Sequence, residues 1–308
     1  MNKRKIILDC DPGHDDAIAI LLAGKSEKID LLGITTSSGN QTIDKTSRNA
    51  YNVAKYLGID VPIAKGSTHP IIREVEVCEK IHGESGLDGF TFPEYEYNYD
   101  SRHAVNFIID TLLANDDVTM VITGPETNFA LALRLCPEIK KHVREVIIMG
   151  GSIGSGNVSP AAEFNILCDP EASHIIFTSG LPIKMVGLDV TRKVLVLPSI
   201  LEEYKNINTK SAKLFYDLMV VFNKNQKDTF GFEGAPLHDP ATILSIIDDS
   251  LITYQKMNVE IDLSHGCSYG RTNCDSFNYL GKEANAEVAV DIDVDRYWKN
   301  VKELILKD

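Results

Sequence analysis

The chain has 308 residues, 44% of them apolar, and a formal net charge of −13. This length and apolar content are sufficient for the core of one large α/β domain or two small ones. Because the acidic residues are spread along the chain and not gathered in a tail, nucleic acid and anionic membranes are poor candidate partners. A small neutral or cationic ligand, or a metal ion, is the better expectation.

The N-terminal basic residues precede an apolar run of only a few residues, so no signal peptide is predicted. No apolar stretch approaches the length of a membrane span. The six cysteines form no Cys-x-x-Cys pair and no disulfide-dense spacing. This pattern predicts reduced thiols in the cytoplasm and makes a zinc site a poor expectation.

The first predicted strand, Lys5–Leu8, leads into four carboxylates within eight residues. They are Asp9, Asp11, Asp15 and Asp16. If the strand continues, Asp9 and Asp11 point to the same side, and a Pro-Gly pair then opens a helix whose first turn holds the other two. Helix capping by Asp11 and complementation of the helix macrodipole would explain two acids but not four. A group so rich in oxygen is typical of a site for Ca²⁺ or Mg²⁺.

A β-α-β unit follows, with a helix over Ala17–Ala23 and a second buried strand over Ile29–Thr36, and this connection predicts parallel pairing. Further strands are predicted over Val61–Ala64, Val118–Thr123, Arg144–Met149, Pro182–Leu188, Thr253–Leu263 and Glu287–Ile292. Further helices are predicted over Thr42–Leu57, Ser101–Ala114 with Ser101 as the cap, from after Asn128 to Leu135, Pro170–Phe177, Pro240–Ile247 and Asp293–Leu306, with two more within Pro198–Asn225.

Two long irregular segments separate these elements. Lys65–Asp100 has little periodicity and is predicted to cover an active site, and Gln226–Leu237 is predicted as a glycine-rich loop. No linker, repeat or low-complexity tract divides the chain. The predicted fold class is therefore α/β, an open, mostly parallel sheet with a Rossmann-like core and helices on both faces, in a single domain over 1–308.

Polar residues cluster where the predicted strands end. Asn40 follows the second strand, the sequence TGPETN follows a later one, and the segments GNVSPAAEFN and His238-Asp239-Pro240 lie in loops further on. In open α/β sheets, ligands bind beyond the carboxyl ends of the strands. These residues are therefore expected to share one crevice. The glycines at 150 to 156 match no phosphate-binding loop spacing, so a phosphate site is not favoured.

The motifs DCDPGHDD, strand-end Asn40, TGPETN, GNVSPAAEFN followed by DPEA, and HDP at 238 to 240 resemble the nucleoside hydrolase family of the inosine-uridine preferring type. The resemblance runs from Lys5 to Ile292, with five motifs in the family's order. It implies hydrolysis of the N-glycosidic bond of ribonucleosides, which gives ribose and free base.

The resemblance also implies a bound Ca²⁺ ion. The positions that match the family's metal ligands are Asp11, Asp15, Asp16, Asp239 and the backbone carbonyl of Thr127. The ion would also bind ribose hydroxyls and a water, and Asp11 is the residue expected to take the proton of the attacking water. Asp9 is expected to support this site from behind. Asp239 is also expected to cap the helix that begins at Pro240.

The sugar and the base are expected to have separate binding residues. The ribose positions implied by the resemblance are Asp15, Asn40, Asn157, Glu163, Asn165 and Asp239, although Asn157 by itself would equally suit a turn. The base positions are His82, Gln226, Phe230 and His238, and His82 and His238 are the expected catalytic histidines. His14 is given no role.

Gln226 resembles the pyrimidine-preferring members of the family, because an amide offers a donor and an acceptor to a pyrimidine edge. Phe230 stands where those relatives tend to have Tyr, and Glu126 where they usually have an apolar residue. Uridine or cytidine is therefore the expected substrate, with broad or purine-accepting specificity as the alternative within the family.

Two other classes of function remain open at this stage. One is an Asp-x-Asp phosphatase with Mg²⁺, Asp9 as nucleophile and Asp11 as acid. The other is a non-catalytic protein that binds nucleoside or ribose. By resemblance alone, a homo-oligomer (dimer or tetramer) and a role in nucleoside salvage or catabolism are also expected.

Overall fold

The computed structural model describes residues 3–307, so residues 1, 2 and 308 of the predicted domain lie outside the described part. The strands are β1 (Arg4–Cys10), β2 (Ile29–Thr36), β3 (Ile63–Lys65), β4 (Val118–Ile122), β5 (Val143–Met149), β6 (Ile183–Val186), β7 (Leu195–Val196), β8 (Ala235–Pro236), β9 (Ile252–Ile261), β10 (Thr272–Asp275) and β11 (Ala286–Ile292).

The helices are α1 (His14–Lys25), α2 (Ile43–Leu57), α3 (Glu79–His82), α4 (Ala104–Leu113), α5 (Thr127–Leu135), α6 (Phe164–Cys168), α7 (Pro170–Phe177), α8 (Leu188–Thr191), α9 (Pro198–Tyr204), α10 (Lys210–Phe230), α11 (Pro240–Ile247) and α12 (Val294–Ile305). A 3₁₀ helix over Pro137–His142 precedes β5.

Nine strands form one sheet in the order β10-β9-β11-β6-β5-β4-β1-β2-β3, and β7 pairs with β8 separately. All neighbours from β3 to β11 are parallel, whereas β9 pairs antiparallel with β11 and β10. The part from β3 to β6 has the Rossmann strand order 3-2-1-4-5-6. The predicted α/β class with a mostly parallel sheet is confirmed.

Helices cover both faces of the sheet. Successive side chains of a strand point to opposite faces, so each strand contributes to both cores. In β1, Ile6 and Leu8 belong to one hydrophobic core, which they share with residues of α1, α2 and α10, and Ile7 belongs to the other, which includes residues of α4, α5 and α7. Such double burial requires an apolar residue at nearly every position, which explains the unbroken run Ile6–Leu8.

The start of α1 differs from the prediction. β1 ends at Cys10, so the strand alternation does not extend to Asp11, and the helix begins at His14 with Gly13 as its N-cap residue. The side chain that reaches back to the Gly13 N–H is that of Asp16, at 3.0 Å. The alternative explanation, in which Asp11 caps this helix, is therefore wrong.

The predicted loop over Gln226–Leu237 is also wrong at its start, because α10 continues to Phe230 and ends where Gly231 adopts a φ of 75°. The buried positions Leu218, Phe222 and Gln226 follow one another at a spacing of four. The helical face therefore continues through Gln226, where a polar amide replaces an apolar residue and hides the periodicity.

Smaller differences concern caps and short elements. His103, and not Ser101, is the N-cap residue of α4, and its side chain accepts a hydrogen bond from the Val105 N–H. β10 was not predicted from the sequence, and the segment predicted as an active-site cover contains the one-turn helix α3. None of the helices within residues 3–307 combines the length and the apolar character that a membrane span requires.

Asn128 joins three strand ends behind the carboxyl edge of the sheet. Its Nδ2 donates to Asp9 Oδ1 (2.8 Å) and to the Thr36 carbonyl (3.0 Å), and its Oδ1 accepts from the N–H and the hydroxyl of Ser67. We expect Asn128→Ala to lower the free energy of unfolding by about 2–4 kcal/mol, because it leaves these buried groups without partners.

Denaturant unfolding measures this loss. The control is the half-buried Asn115→Ala, which is expected to cost less than about 1 kcal/mol. An equal, small effect of both substitutions would contradict the idea that Asn128 holds the strand ends together.

Candidate active site

The predicted polar residues meet where the chain changes direction across the sheet. The chain runs from β1 through β2 to β3 on one side and then returns to β4 on the other side of β1. The acidic motif follows β1, Asn40 follows β2 and Thr123 follows β4. Loops on the two sides of β1 separate at this point and leave a crevice, which is the general location of ligand sites in such sheets.

Three carboxylates lie together at this crevice. Asp15, Asp16 and Asp239 are buried, and each offers an oxygen within 4.8 Å of the others. Asp239 occupies the N-cap position of α11, but its side chain makes no capping hydrogen bond. Its predicted N-cap position is therefore confirmed, but its carboxylate belongs to the acidic group and does not cap the helix.

Hydrogen bonds to both carboxylate oxygens fix the orientation of Asp16. Its Oδ2 accepts from the Gly13 N–H (3.0 Å) and from Asn40 Nδ2 (3.2 Å), and its Oδ1 accepts from the Thr123 hydroxyl (2.8 Å). The loops after β1, β2 and β4 thus converge on one carboxylate. Asp16 is the residue of the group with the most neutral donors around it.

Asp11 is fully buried beside this group. Its Oδ2 accepts from the Asn40 N–H at 2.6 Å, whereas its Oδ1 is buried and makes no hydrogen bond within residues 3–307. Two glycines make room for the carboxylate: a Cβ at Gly39 would overlap Oδ2, and one at Gly124 would lie 2.6 Å from Oδ1. A buried oxygen without a partner is costly unless a cation or a polar ligand approaches it.

Burial and mutual repulsion act in the same direction on these acids. Burial, followed by the charge of Asp16, raises the pKa of Asp15 to about 8. Burial raises the pKa of Asp16 to about 6, and it also raises the pKa values of Asp11 and Asp239. Without a cation, this group therefore retains protons at neutral pH. The donor set contains only oxygen, which suits a hard divalent ion.

Asp9 lies behind the group, as the sequence suggested. Its Oδ1 accepts from the Thr35 hydroxyl at 2.7 Å and from Asn128, and burial raises its pKa to about 6. The hydroxyl of Thr127 donates to Asp169 (2.6 Å), and the carboxyl of Glu126 receives a hydrogen bond from Ser173. Burial raises the pKa of Glu126 to about 8, so it is mainly neutral at pH 7.

An open cleft of about 550 Å³, counting the space at its mouth, lies over the acidic group. Its lining includes ten of the predicted site residues: Asp15, Asn40, His82, Asn157, Glu163, Asn165, Gln226, Phe230, His238 and Asp239. Asp11, Asp16 and Thr127 are not among the lining residues. The structure thus brings the sugar and base positions together on one surface and places Asp11 and Asp16 one layer below it.

Polar side chains in the segment after β5 make hydrogen bonds to backbone groups. Glu163 caps α6, since its Oε1 accepts from the Asn165 N–H and its Oε2 from the N–H groups of Gly151 and Ile166. Asn165 donates its Nδ2 to the carbonyls of Thr123 and Met149. Asn157 accepts a hydrogen bond from the Phe164 N–H. Asn157 therefore has the turn role and also lines the cleft.

Two histidines, His82 and His238, line the cleft together with Gln226. Burial lowers the pKa of His238 to about 3, with a further contribution from the positive charge of Arg192, and its Nδ1 lies 2.7 Å from the Thr191 hydroxyl. Phe230 is 48% exposed at the mouth of the cleft. A side pocket of about 460 Å³, again counting the space at its mouth, continues from the cleft past Phe230.

Several residues at the site were not identified from the sequence. Thr123 stands within the TGPETN motif and is detectable there, because it follows a strand. Thr191 and Phe222 had no such signal: one belongs to a four-residue helix and the other to an ordinary amphipathic one. Gly39 and Gly124 had no such signal either, because only the folded structure shows that they make room for the Asp11 carboxylate.

A buried carboxylate group on one wall and imidazole groups on the other define an enzyme site for acid–base chemistry on a small ligand. The model of the inosine-uridine preferring nucleoside hydrolase family matches residues 6–299. The chain belongs to this family. It is thus an enzyme that cleaves the N-glycosidic bond of ribonucleosides with water, and the match supports neither the phosphatase nor the non-catalytic alternative.

Known proteins align with nearly the full length of this chain. The pyrimidine-specific ribonucleoside hydrolase RihB of Escherichia coli is 47% identical over 306 residues, which are 99% of this chain and 98% of the relative. A purine-preferring ribonucleoside hydrolase from Gardnerella vaginalis has a similar structure, with a TM-score of 0.92, 34% identity and 98% of each chain covered. A plant nucleoside hydrolase, the PpNRh1 enzyme, superimposes with a TM-score of 0.91 at 32% identity, again over 98% of each chain.

The raised pKa values predict how pH acts on the metal-free protein. Each acid binds protons more tightly in the folded than in the unfolded chain, so its stabilising contribution is present below the unfolded value of 3.8 and is lost as the pH rises through the folded value, about 8 for Asp15. We expect the thermal midpoint in a chelator to fall between about pH 5 and about pH 8.

Added Ca²⁺ binds the ionised carboxylates, so it should raise the midpoint more at the higher pH. Differential scanning fluorimetry measures both effects, and Asp15→Asn should reduce them. A calcium-induced shift that is the same at both pH values would contradict a cation site built from these acids.

Proposed function

We propose that this nucleoside hydrolase prefers pyrimidine ribonucleosides, uridine or cytidine, and holds Ca²⁺ in the acidic group. The observation that carries the proposal is the polarity of the cleft: carboxylates form one wall, and Gln226 with two histidines forms the other. A ribose and a heterocyclic base need these two different environments. The 47% identity to a pyrimidine-specific relative supports the same choice of base.

The residues that would hold the ion are Asp11, Asp15, Asp16, Asp239 and the carbonyl of Thr127. Three observations support this assignment: the donors are all oxygen, three carboxylates lie within 4.8 Å of one another, and Asp11 Oδ1 is buried without a hydrogen-bond partner in residues 3–307. When bound, the cation supplies positive charge that neutralises these acids and helps to orient ribose hydroxyls and water.

Ribose hydroxyls would be positioned by the polar atoms that the protein leaves open. Asn165 donates hydrogen bonds from Nδ2 to two backbone carbonyls, so its Oδ1 is available to accept a hydrogen bond from a ribose hydroxyl. The Oδ1 of Asn157 accepts a hydrogen bond from a backbone N–H, so its Nδ2 is available to donate a hydrogen bond to a ribose hydroxyl. With Asn40, Glu163, Asp15 and Asp239, these groups orient the sugar before the reaction, which is where much of the rate enhancement of positioned reactants arises.

Asp11 is the residue we assign as general base. One of its oxygens is held by the Asn40 N–H, and the other, Oδ1, is buried without a hydrogen-bond partner within residues 3–307. A water next to this second oxygen can pass its proton to the carboxylate as it attacks the anomeric carbon. Positive charge that develops on the ribosyl ring is then stabilised by the surrounding carboxylates.

The leaving pyrimidine would be recognised at the other wall. The Gln226 amide offers a donor and an acceptor to the edge of the base, and His238 and His82 lie beside it to stabilise the negative charge that develops on the base. The single domain, the homo-oligomeric state, the cytoplasmic location and the role in salvage or catabolism stay predictions from the sequence.

A substrate panel tests this proposal. Purified protein is incubated with uridine, cytidine, inosine and a generic phosphate ester, with and without a chelator, and reducing sugar and phosphate are measured. We expect ribose release from uridine or cytidine to exceed release from inosine, and the chelator to abolish it until Ca²⁺ is returned. Faster cleavage of inosine, or activity that survives the chelator, would contradict the proposal.

Asp11→Asn tests the general base. The amide keeps the shape of the side chain but cannot take a proton, so kcat should fall at least about 10²-fold while uridine still binds. The matched control is Asp9→Asn, which makes the same change one layer behind the site and should affect stability more than kcat. Normal turnover of the Asp11 variant would remove it from the role of base.

Thr191→Val tests how His238 is held. Valine keeps the shape but removes the hydroxyl that lies 2.7 Å from His238 Nδ1, so we expect kcat for uridine to fall about 10-fold. Thr191→Ser retains the hydroxyl and should keep most of the activity. If both substitutions have the same effect, the contact with His238 is not the reason for the loss.

A further inference from the structure

His14, the residue of the acidic motif without an assigned role, is fully buried at the first position of α1 and contacts the base side of the cleft. Its backbone N–H donates to His82 Nδ1 at 3.2 Å, and its own Nδ1 lies 3.2 Å from the same atom. Its Nε2 lies 2.8 Å from the carbonyl oxygen of Asp88. Since a carbonyl oxygen only accepts, the proton of the His14 ring is on Nε2.

His82 and Asp88 are the first and last residues of one compact turn, residues 82–88. Gly83 adopts a φ of +80°, and the Asp88 carboxylate accepts hydrogen bonds from the N–H groups of Glu84 and Ser85. The Asp88 N–H donates to the His82 carbonyl (3.4 Å) and closes the turn. The ring of His14 contacts both ends, the imidazole of His82 and the carbonyl of Asp88, so it fixes the turn relative to the acidic motif.

The planes of the two imidazoles are fixed as well. Phe222 of α10 stacks on His14 with ring centroids 5.0 Å apart and an angle of 5°, and on His82 at 5.4 Å and 25°. The centroids of the two histidines are 5.4 Å apart. Gly13 permits this approach, because a Cβ there would lie 2.5 Å from His82 Nδ1.

These contacts determine which nitrogen of His82 faces the substrate. The backbone N–H and the ring Nδ1 of His14 both lie 3.2 Å from His82 Nδ1, so this nitrogen points toward α1 and Nε2 points away from it. Within residues 3–307 this Nε2 makes no hydrogen bond, and His82 lines the cleft.

We infer that His14 is a positioning residue for the reaction: it holds the ring of His82 in the orientation that turns Nε2 toward the leaving base. This inference rests on the proposed function, since it requires a nucleoside in the cleft. The rival explanation is that His14 only shapes the start of α1 and thereby the neighbouring Asp15 and Asp16. The two explanations differ in the part of the substrate that they affect.

A substrate with an activated leaving group separates them. The p-nitrophenyl riboside releases a stable phenolate that needs no donor from the enzyme, whereas uridine releases a base that does. We expect His14→Phe, which keeps the stacking on Phe222 but loses both ring hydrogen-bonding atoms, to lower kcat for uridine at least about 10-fold more than kcat for the p-nitrophenyl riboside.

A double mutant tests whether His14 acts through His82. His82→Ala should show the same selective loss for uridine, and the variant with both substitutions should be no slower on uridine than His82→Ala alone, because the two residues then share one function. His14→Gln provides a second, polar replacement if the Phe variant does not fold. Activity on the p-nitrophenyl riboside reports that the fold and the acidic group are intact in each variant.

Lys45→Met is the control for a loosened turn, since Lys45 donates to the Glu84 carbonyl (2.5 Å) from the exposed face of α2 and touches neither histidine. It should change both activities equally. Equal losses on both substrates in His14→Phe, or additive losses in the double variant, would overturn the inference. Absence of activity on uridine in the unmodified enzyme would instead contradict the proposed function.

Discussion

The burial of several carboxylates at one edge of the sheet is the constraint on which the rest of the site depends. Asp11, Asp15, Asp16 and Asp239 are all nearly inaccessible to solvent. Burial disfavours the charged form of each, and every neighbouring charge adds to this effect. Such a group is stable only when neutral donors and a cation compensate for the lost hydration. The surrounding loops are arranged to supply the donors.

The donors come from three different loops, and this explains why the site lies at the switch point of the sheet. The single carboxylate of Asp16 receives hydrogen bonds from all three segments that follow β1, β2 and β4. These strands are neighbours only because the chain crosses from β3 back to β4 on the far side of β1. The same crossing leaves the crevice above them. The strand order therefore positions the acids and provides their access to a ligand.

The sequence predicted the elements on which this arrangement depends because their signals are local. The apolar run before Asp9, the Pro-Gly turn and the acids in the first helical turn are adjacent in the chain. Caps and contacts from distant segments were less predictable. Whether Asp239 caps α11 or joins the acids depends on the position of residues more than two hundred positions earlier, and no local pattern records that distance.

The extent of α10 shows the same limit. Gln226 interrupts the apolar periodicity because its side chain lines the cleft and not the core, so a cleft-lining residue was mistaken for the end of a helix. Where local pattern and structure disagree in this way, the disagreement often marks a functional position.

The two walls of the cleft differ in how they control protons. At the acidic wall, hydrogen bonds and burial act on oxygens that must become charged, and a cation shifts this balance. At the other wall, burial keeps His82 and His238 neutral, and contacts of Nδ1 with one neighbouring residue, His14 or Thr191, orient each ring. Hydrolysis of an N-glycosidic bond requires proton removal from water and stabilisation of the leaving base at the same time. Separate walls, built from different loops and helices, allow each requirement to be met without compromising the other.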